Sequence, residues 1–309
     1  MKKNNRYKIL VALDGSKRSE QTVAYICEHL GGLDATFVLF HVLISVPECY
    51  WDLAKEPKSV RVVRSVRAWQ TEQKRQIEEK LAQYADTLKQ RGIAAERTNI
   101  KIRNRKKGVA RDIIAEARNG YDAIIIRRRG YTVLPEIVMG SVALKLVQKL
   151  SFLPVLVAGR KPCTGKVLVA FDGSTDAMRA VRFAGEFTKG STRKISLFYA
   201  MRGSSEAAND IFYTPPECID QAREIMGHHF HAAVNRLESI GIPPDAINTR
   251  AQENVISRAL AIRQEAESGD YGTIVVGRRG MSCVRDFFIG RVSNKILNSA
   301  REHAVWIIT

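Results

Sequence analysis

The sequence has few of the features that mark secreted, membrane-spanning or zinc-stabilised proteins. Its five cysteines are an odd number and form no Cys-x2-Cys pair, which argues against a disulfide framework and against a zinc ribbon. Its apolar runs, such as AIII at 123–126 and VLVA at 155–158, are far shorter than the roughly 18 to 20 residues that a membrane span needs. No apolar signal region precedes the first strand-like segment. We therefore expect a cytoplasmic protein that does not cross a bilayer.

Catalytic motifs are scarce as well. The chain contains neither a Gly-x-Ser-x-Gly elbow nor a Gly-x4-Gly-Lys-Ser/Thr phosphate loop, so hydrolase-like and kinase-like mechanisms lack their usual parts. His228, His229 and His231 stand close together, but no matching Cys, Asp or Glu spacing completes a set of metal ligands. We expect no metal site and no catalytic residues.

Positive charge is present in excess and is concentrated in the first half. The chain has 49 Lys and Arg against 32 Asp and Glu, a formal net charge of +17. Residues 1–160 carry 30 basic and 16 acidic side chains, and residues 161–309 carry 19 and 16. The first half therefore has an electrostatic field that attracts polyanions or phosphorylated ligands.

One plan occurs twice along the chain. YKILVALDGSKRS from Tyr7 is matched by GKVLVAFDGSTDA from Gly165, and Gly130 and Gly140 are matched by Gly280 and Gly290. Such internal repetition indicates duplicated structural units. It predicts a first domain at 1–158, a linker GRKPCTG at 159–165 and a second domain at 166–309.

The order of local signals predicts the fold class of each copy. Short β-branched runs alternate with helix-length amphipathic segments five times per copy, which is typical of parallel sheets with crossover helices on both faces. We expect two tandem doubly wound, Rossmann-like α/β domains, each with a five-stranded parallel sheet. The last strands, LPVLVA and AVWII, are the most apolar parts of each copy. Since an exposed apolar edge invites pairing, we expect these strands to pair within the chain as a pseudo-two-fold unit.

These residues resemble the universal stress protein family in a tandem two-domain form. The resemblance rests on ILVALDGS and VLVAFDGS, on LFHVL at the end of the second strand, and on GRRGMSCVRDFFIGRVSNKIL at 277–297. Its most specific part is the family's nucleotide loop, Gly-x2-Gly-x9-Gly-Ser/Thr. The resemblance implies a regulatory, non-enzymatic protein, with ATP or AMP bound where the loop is intact and Mg²⁺ accompanying the nucleotide.

The second copy keeps this loop better than the first. By resemblance, Asp172 and Ala200 would flank the adenine and ribose, and Ser293 would lie near the phosphates. The loop glycines would be Gly277, Gly280 and Gly290, while Arg291 replaces the usual Ser/Thr. In the first copy the pattern is kept at Asp14, Val42, Gly130, Gly140 and Ser141, but Arg127 replaces the leading glycine. Nucleotide binding is therefore expected in the second copy, and the glycines could alternatively serve only to turn the chain.

The first copy has a second feature at the same edge of its predicted sheet. Cations follow the third and fourth strands, and parallel strands end at one edge, so these side chains should converge and attract an anion. The seven cations are Arg103, Arg105, Lys106, Lys107, Arg127, Arg128 and Arg129. A solvated, partly ion-paired surface is the alternative interpretation.

Three functional hypotheses follow from these patterns. The first is a cytoplasmic regulator of the universal stress protein type that binds an adenine nucleotide in its second domain. The second is a scaffold whose basic first domain binds a polyanion such as RNA, DNA or an anionic lipid head group. The third is a slow ATPase, although no general base is evident in the sequence. Assembly into a homodimer is compatible with each of them.

Overall fold

The computed structural model describes residues 6–44, 60–128, 139–202, 216–280 and 289–309, with side chains in the fourth range described from residue 220 onward. Within these ranges, no helix combines the length and the apolar character that a membrane span requires.

The first half alternates strands with helices, as the sequence predicts. Its strands are β1 (Tyr7–Ala12), β2 (Ala35–Leu43), β3 (Thr98–Asn104), β4 (Ala123–Arg127) and β5 (Val155–Ala158). Its helices are α1 (Lys17–Leu30), α2 (Val60–Gln90), α3 (Val109–Ala117) and α4 (Ser141–Lys149). A single 3₁₀ turn at Ala95–Arg97 precedes β3.

The second half repeats this order. Its strands are β6 (Lys166–Ala170), β7 (Lys194–Ala200), β8 (Ile247–Gln252), β9 (Thr273–Gly277) and β10 (Ala304–Ile308). Its helices are α5 (Thr175–Thr188), α6 (Pro216–Ile240), α7 (Arg258–Ser268) and α8 (Arg291–Ser299). The predicted α/β fold class is confirmed. The predicted linker at 159–165 falls between the end of β5 and the start of β6.

The two halves share one ten-stranded sheet. Its strand order is β3-β2-β1-β4-β5-β10-β9-β6-β7-β8. Every neighbouring pair is parallel except β5 and β10, which run antiparallel with Trp306 opposite Leu156. The last strands of the two copies therefore pair within the chain, as expected from their apolar character, and they bring the halves into pseudo-two-fold symmetry.

Apolar side chains cover both faces of this sheet. In β1, Ile9 and Val11 join one core and Leu10 joins the other, because successive side chains of a strand point to opposite faces. Helices α1, α2, α5 and α6 cover the first face, and α3, α4, α7 and α8 cover the second. This two-sided burial explains why the central strands are almost wholly apolar.

The third strands of the two copies lie at the outer edges of the sheet. β3 and β8 each have a neighbour on one side only, and most of their residues are exposed or half-buried. Polar side chains suit such a position because they discourage pairing with another chain. Their placement accounts for the polar composition of RTNIKI and INTRAQ.

Candidate functional site

Two cavities lie at the carboxyl ends of the strands, one in each half. The sheet changes winding direction between β1 and β4 and again between β6 and β9, and ligands of open parallel sheets bind at such points. The described residues of the second half enclose a cavity of ≈ 170 Å³, here called the second-half cavity. Those of the first half enclose one of ≈ 790 Å³, the first-half cavity.

The second-half cavity brings together every site residue that the sequence predicts for this copy. They come from the ends of β6, β7 and β9 and from the start of α8. The lining includes Asp172, Ala200, Gly277, Gly280, Gly290, Arg291 and Ser293. Their role in binding stays a prediction, but their grouping is now a structural fact.

Gly280 allows the loop after β9 to approach the Asp172 carboxylate. A β-carbon at residue 280 would lie 2.5 Å from Asp172 Oδ2, which is too close for two non-bonded atoms. The other carboxylate oxygen of Asp172 accepts a hydrogen bond from the Ser174 N–H at 3.1 Å. Asp172 is thereby held at the cavity wall with one oxygen directed at the glycine loop.

Gly277 and Gly290 serve the shape of the loop itself. A β-carbon at residue 277 would meet the backbone carbon of Asp176 at 2.8 Å, so this glycine allows β9 to pack closely against the start of α5. The Gly290 N–H donates to the Arg278 carbonyl at 2.8 Å and closes the loop. Strand–helix packing is thus one reason for a glycine at this position, while the role of Gly277 in ligand binding stays a prediction.

The start of α8 presents backbone donors to the cavity. The first hydrogen bond within this helix runs from Asn294 N–H to the Gly290 carbonyl, so the amides of Arg291, Val292 and Ser293 precede it, and all three residues line the cavity. Such amides, at the positive end of a helix, favour an anion. The Ser293 hydroxyl is buried and donates to the Gly277 carbonyl at 2.7 Å. Its side chain thus joins the two ends of the loop.

Two arginines that line this cavity were not predicted from the sequence, and a histidine packs on the turn beside it. Arg258, at the start of α7, and Arg279 line it together with Arg291. The signal for Arg258 was its position just after β8, at the same sheet edge as the other ligand-facing residues. His229 of α6 packs on the Asp-Gly-Ser turn, since a β-carbon at Gly173 would lie 2.7 Å from its ring carbon Cδ2.

The first-half cavity contains the equivalent residues with different contacts. Asp14, Val42, Gly140 and Ser141 line it, whereas Gly130 lies outside the described residues. Asp14 Oδ1 accepts hydrogen bonds from the Ser16 N–H at 3.0 Å and from the Ser16 and Ser19 hydroxyls at 2.7 and 2.9 Å. Ser16 is matched by Ser174, but Ser19 is replaced by Ala177 in the second half, so the hydrogen bond from the Ser19 hydroxyl that holds Asp14 to its own turn cannot be repeated at Asp172.

Arg127 enters the first-half cavity from the end of β4. Its Nη2 donates to the Gln21 side-chain oxygen, while its Nη1 is buried and has no hydrogen-bond partner among the described residues. Burial, followed by the charges of Arg160 and Arg18, lowers the pKa of Arg127 to about 10. The guanidinium therefore stays protonated at neutral pH and brings an incompletely satisfied cation to the cavity wall.

Comparison with known proteins identifies the family. The model of the universal stress protein family matches residues 6–159 and again residues 164–308. This chain belongs to the universal stress protein family. The universal stress protein YxiE of Bacillus subtilis is 27% identical over 138 residues, which cover 42% of this chain and 90% of the relative.

Solved structures show the same arrangement over the whole chain. A universal stress protein from Archaeoglobus fulgidus has a TM-score of 0.61 at 18% identity and covers 99% of this chain and 98% of its own. A functionally unknown protein from Pseudomonas aeruginosa has a TM-score of 0.58 at 16% identity, with coverages of 98% and 92%. At these identities the likeness concerns the fold. This universal stress protein therefore shares its tandem architecture with both structures.

The expected convergence of seven cations on the first-half cavity needs correction. Of these seven cations, only Arg127 and Arg128 line that cavity in the described part of the chain. Arg129 is not among the described residues. The guanidinium of Arg128 is buried and is bonded to the backbone of the second half. Arg103, Arg105, Lys106 and Lys107 do not line this cavity, so the described part of the predicted cluster does not converge on one site.

Acidic side chains of α3 contact part of this basic edge. Glu116 is fully buried and forms ion pairs with Arg103 at 3.0 Å and with Lys101 at 2.7 Å. Burial alone would raise the pKa of Glu116, but the hydrogen bonds from Lys101 and Tyr121 outweigh burial and lower it. Asp112 accepts the backbone N–H groups of Lys106 and Lys107, and the Arg105 N–H donates to the Leu43 carbonyl. The ion pair of Arg103 fits the alternative of a partly ion-paired surface, whereas Arg105, Lys106 and Lys107 make these contacts through the backbone and keep their side chains at the sheet edge.

Proposed function

We propose that this protein is a regulatory universal stress protein that binds an adenine nucleotide in its second-half cavity. The observation that supports this most is the closure of the Gly280 loop on Asp172 beside the N-terminal amides of α8. The ligand would stabilise one loop arrangement, which partners would recognise, in the manner of a population shift. A cytoplasmic location is part of the proposal, supported by the free thiols of Cys27 and Cys163.

The chemistry of the cavity suits the two ends of a nucleotide. Its apolar wall includes Phe198, Ile262 and Val276, which can contact a flat base, and Asp172 is an acceptor for ribose hydroxyls. At the mouth, the exposed guanidinium groups of Arg279 and Arg291 can pair with phosphate oxygens. On this view Arg291 supplies charge where the family pattern has a hydroxyl.

Titration calorimetry with ATP and with AMP, each with and without Mg²⁺, tests nucleotide binding. The Gly280→Ala variant should weaken binding by about tenfold or more, because its new methyl group would collide with Asp172. Gly32→Ala is the matched control, since a β-carbon there meets nothing within 4 Å. Absence of heat with both the wild type and Arg291→Ser would remove the nucleotide from the proposal.

A pair of aspartate variants assigns the site to one half. Asp172→Asn should weaken ATP binding, whereas Asp14→Asn should leave it unchanged, because Asp14 is bonded to Ser16 and Ser19 of its own turn. The reverse result would move the site to the first half. Phosphate release assayed in the same samples separates a binder from a slow ATPase, since hydrolysis at this site must fall in Gly280→Ala together with binding.

We infer a second candidate function, an anion site in the first-half cavity, from the buried Nη1 of Arg127. The N-terminal amides of Ser141 and Val142 in α4 line the same cavity and favour an anion there. Inorganic tripolyphosphate is a suitable probe. Its affinity should fall as salt rises, and it should fall by about tenfold in Arg127→Gln through loss of a charge-assisted hydrogen bond.

Arg111→Gln is the control for the anion site, since this exposed arginine of α3 makes the same charge change away from the cavity. Equal tripolyphosphate affinities for Arg127→Gln and Arg111→Gln would show that only the net charge of the protein matters, and would contradict a specific site. Binding to heparin or to nucleic acid that follows the same pattern would identify a polyanion as the partner.

A further inference from the structure

Two arginines at equivalent positions of the two copies exchange contacts across the boundary between the halves. Arg128 and Arg278 are 150 residues apart, the same spacing that relates Gly140 to Gly290. Both are almost fully buried, at 7% and 2% exposure. Arginines are rarely buried to this extent, because desolvating the charge is costly, so the hydrogen bonds of their guanidinium groups matter for the fold.

The side chain of Arg128 binds the end of α8 in the other half. Its guanidinium donates to the carbonyls of Leu297, Ala300 and His303, with distances of 2.7 Å to Ala300 and 3.1 Å to His303. The last carbonyls of a helix lack partners within the helix and carry partial negative charge. A forked cation is well suited to them, and these bonds offset the burial of the charge.

Arg278 makes the equivalent contacts in the opposite direction. Its guanidinium donates to Leu150 at 3.0 Å, to Gln148 at 3.1 Å and to Val147, all carbonyls at the end of α4. Val147 and Leu150 stand at the positions that correspond to Leu297 and Ala300. Two of the three carbonyls bound by each arginine thus correspond under the pseudo-two-fold symmetry, while the third is His303 in one case and Gln148 in the other.

Each arginine also belongs to the ligand loop of its own half. The Arg128 carbonyl accepts the Gly140 N–H at 2.6 Å, and the Arg278 carbonyl accepts the Gly290 N–H at 2.8 Å. Gly140 and Gly290 are the residues from which α4 and α8 begin. The backbone of each arginine therefore fixes the local loop, while its side chain fixes the far end of the helix that begins at the other loop.

The contacts form a closed circuit between the two cavities. Arg128, beside the first-half cavity, is hydrogen-bonded to the end of α8. This helix is nine residues long, about 13 Å, and its start lines the second-half cavity. Arg278 and α4 provide the return path. Packed helices shift as units rather than deforming continuously, so a displacement at the start of α8 reaches Arg128 at its end, and one at the start of α4 reaches Arg278.

We propose that Arg128 and Arg278 are positioning residues that couple the two cavities across the boundary between the halves, through the helices that begin at Gly140 and Gly290. This coupling rests on the proposed nucleotide site for its ligand, but the circuit of contacts exists without one. A phosphate-bearing ligand that draws the start of α8 toward itself changes the geometry at Arg128 and, through its carbonyl, the loop of the first-half cavity. If the nucleotide changes the affinity of the first-half cavity for its ligand by some factor, linkage requires that this ligand change the nucleotide affinity of the second-half cavity by the same factor.

Calorimetric titration of ATP into Arg128→Gln tests the coupling, because Arg128 does not line the second-half cavity. Affinity there should fall by about tenfold, whereas Arg111→Gln, with the same charge change in the same half, should bind as the wild type does. Arg128→Lys keeps the charge but loses the fork and should lie between the two. Wild-type affinity in both Arg128 variants would overturn the proposal.

Hydrogen exchange of the ligand-free protein separates this idea from the nucleotide proposal and from a merely structural role. In Arg128→Gln, the amides of Gly290 and Asn294 at the start of α8 should exchange faster, and in Arg278→Gln those of Gly140 and Leu144 should do so. Faster exchange confined to the end of each helix, where the guanidinium was bound, would contradict coupling. If wild-type protein binds no ATP but shows this exchange pattern, the nucleotide proposal fails and the coupling stands.

Discussion

Replacing Trp306 with alanine should lower the free energy of unfolding by about 4 kcal/mol, which is the usual cost of removing a large buried aromatic side chain. Trp306 lies on β10 next to the junction of the two halves and is 0% exposed. Its side chain is among the largest that are fully buried in the described part of the chain. Equilibrium unfolding in urea, followed by circular dichroism, measures the loss.

The contacts of Trp306 explain why a loss of this size is expected. Its ring packs edge-on against Phe183 and Phe187 of α5, with centroid distances of 5.9 and 5.8 Å, and such aromatic pairs add to the effect of burial. Its indole N–H donates to the Tyr25 hydroxyl at 2.6 Å. Truncation would leave that buried hydroxyl without its donor, at a further cost.

Two further variants make the result specific. Trp69→Ala removes the same side chain from α2, where it is 49% exposed, and should cost less than about 0.5 kcal/mol. Trp306→Leu introduces the residue found at the paired position, Leu156, and should restore part of the lost stability. Equal losses for Trp69→Ala and Trp306→Ala would show that Trp306 does not stabilise the junction.

The sequence predicted the architecture well because the duplicated signals are strong. Repeated Asp-Gly-Ser turns and repeated apolar runs fix the order of elements, and the apolar last strands predict β5–β10 pairing. It could not predict that the copies differ at the junction, where Trp306 faces Leu156. The aromatic cluster of Trp306, Phe183 and Phe187 occurs in the second copy. The repeat pattern does not reveal it, because it records each of these residues only as an apolar position.

The sequence predicted residues that line the second-half cavity, but it did not predict the directions of the arginines at the end of β4 in the first half. Arg127 and Arg128 follow one strand, and consecutive residues of an extended chain point to opposite sides. Arg127 therefore contacts Gln21 beside the first-half cavity, while Arg128 reaches α8 of the other half. Charge counting treats the two as equivalent, and only the register of the strand separates them.

Lowering the pH from 7 to 4 should destabilise the protein by about 3 kcal/mol through one buried histidine. Burial, followed by the positive charge of Arg193, lowers the pKa of His29 from 6.5 to about 4. The unfolded chain binds a proton near pH 6.5, but the folded protein resists protonation until about pH 4. Stability is therefore full above about pH 6.5 and declines between these two values. Urea unfolding at half-unit pH steps measures this decline.

The position of His29 shows which variant isolates its contribution. The ring is 3% exposed on α1, stacks on Tyr25 at 4.4 Å and approaches the Thr273 hydroxyl of the other half at 3.4 Å. Phe187 occupies the equivalent position in the second copy. His29→Phe should therefore preserve the packing and flatten the pH profile between 6.5 and 4.

A second histidine variant and the remaining pH-sensitive groups complete the test. His228→Phe changes an exposed histidine of α6 and should keep the wild-type profile. His41 and His303 are also buried with lowered pKa values, so the stability of His29→Phe still depends on pH to some extent. The quantity to compare is therefore the difference in unfolding free energy between the wild type and His29→Phe at each pH. If that difference stays constant from pH 7 to pH 4, the neutral ring of His29 is not what stabilises the junction, and the effect of acid must come from elsewhere in the chain.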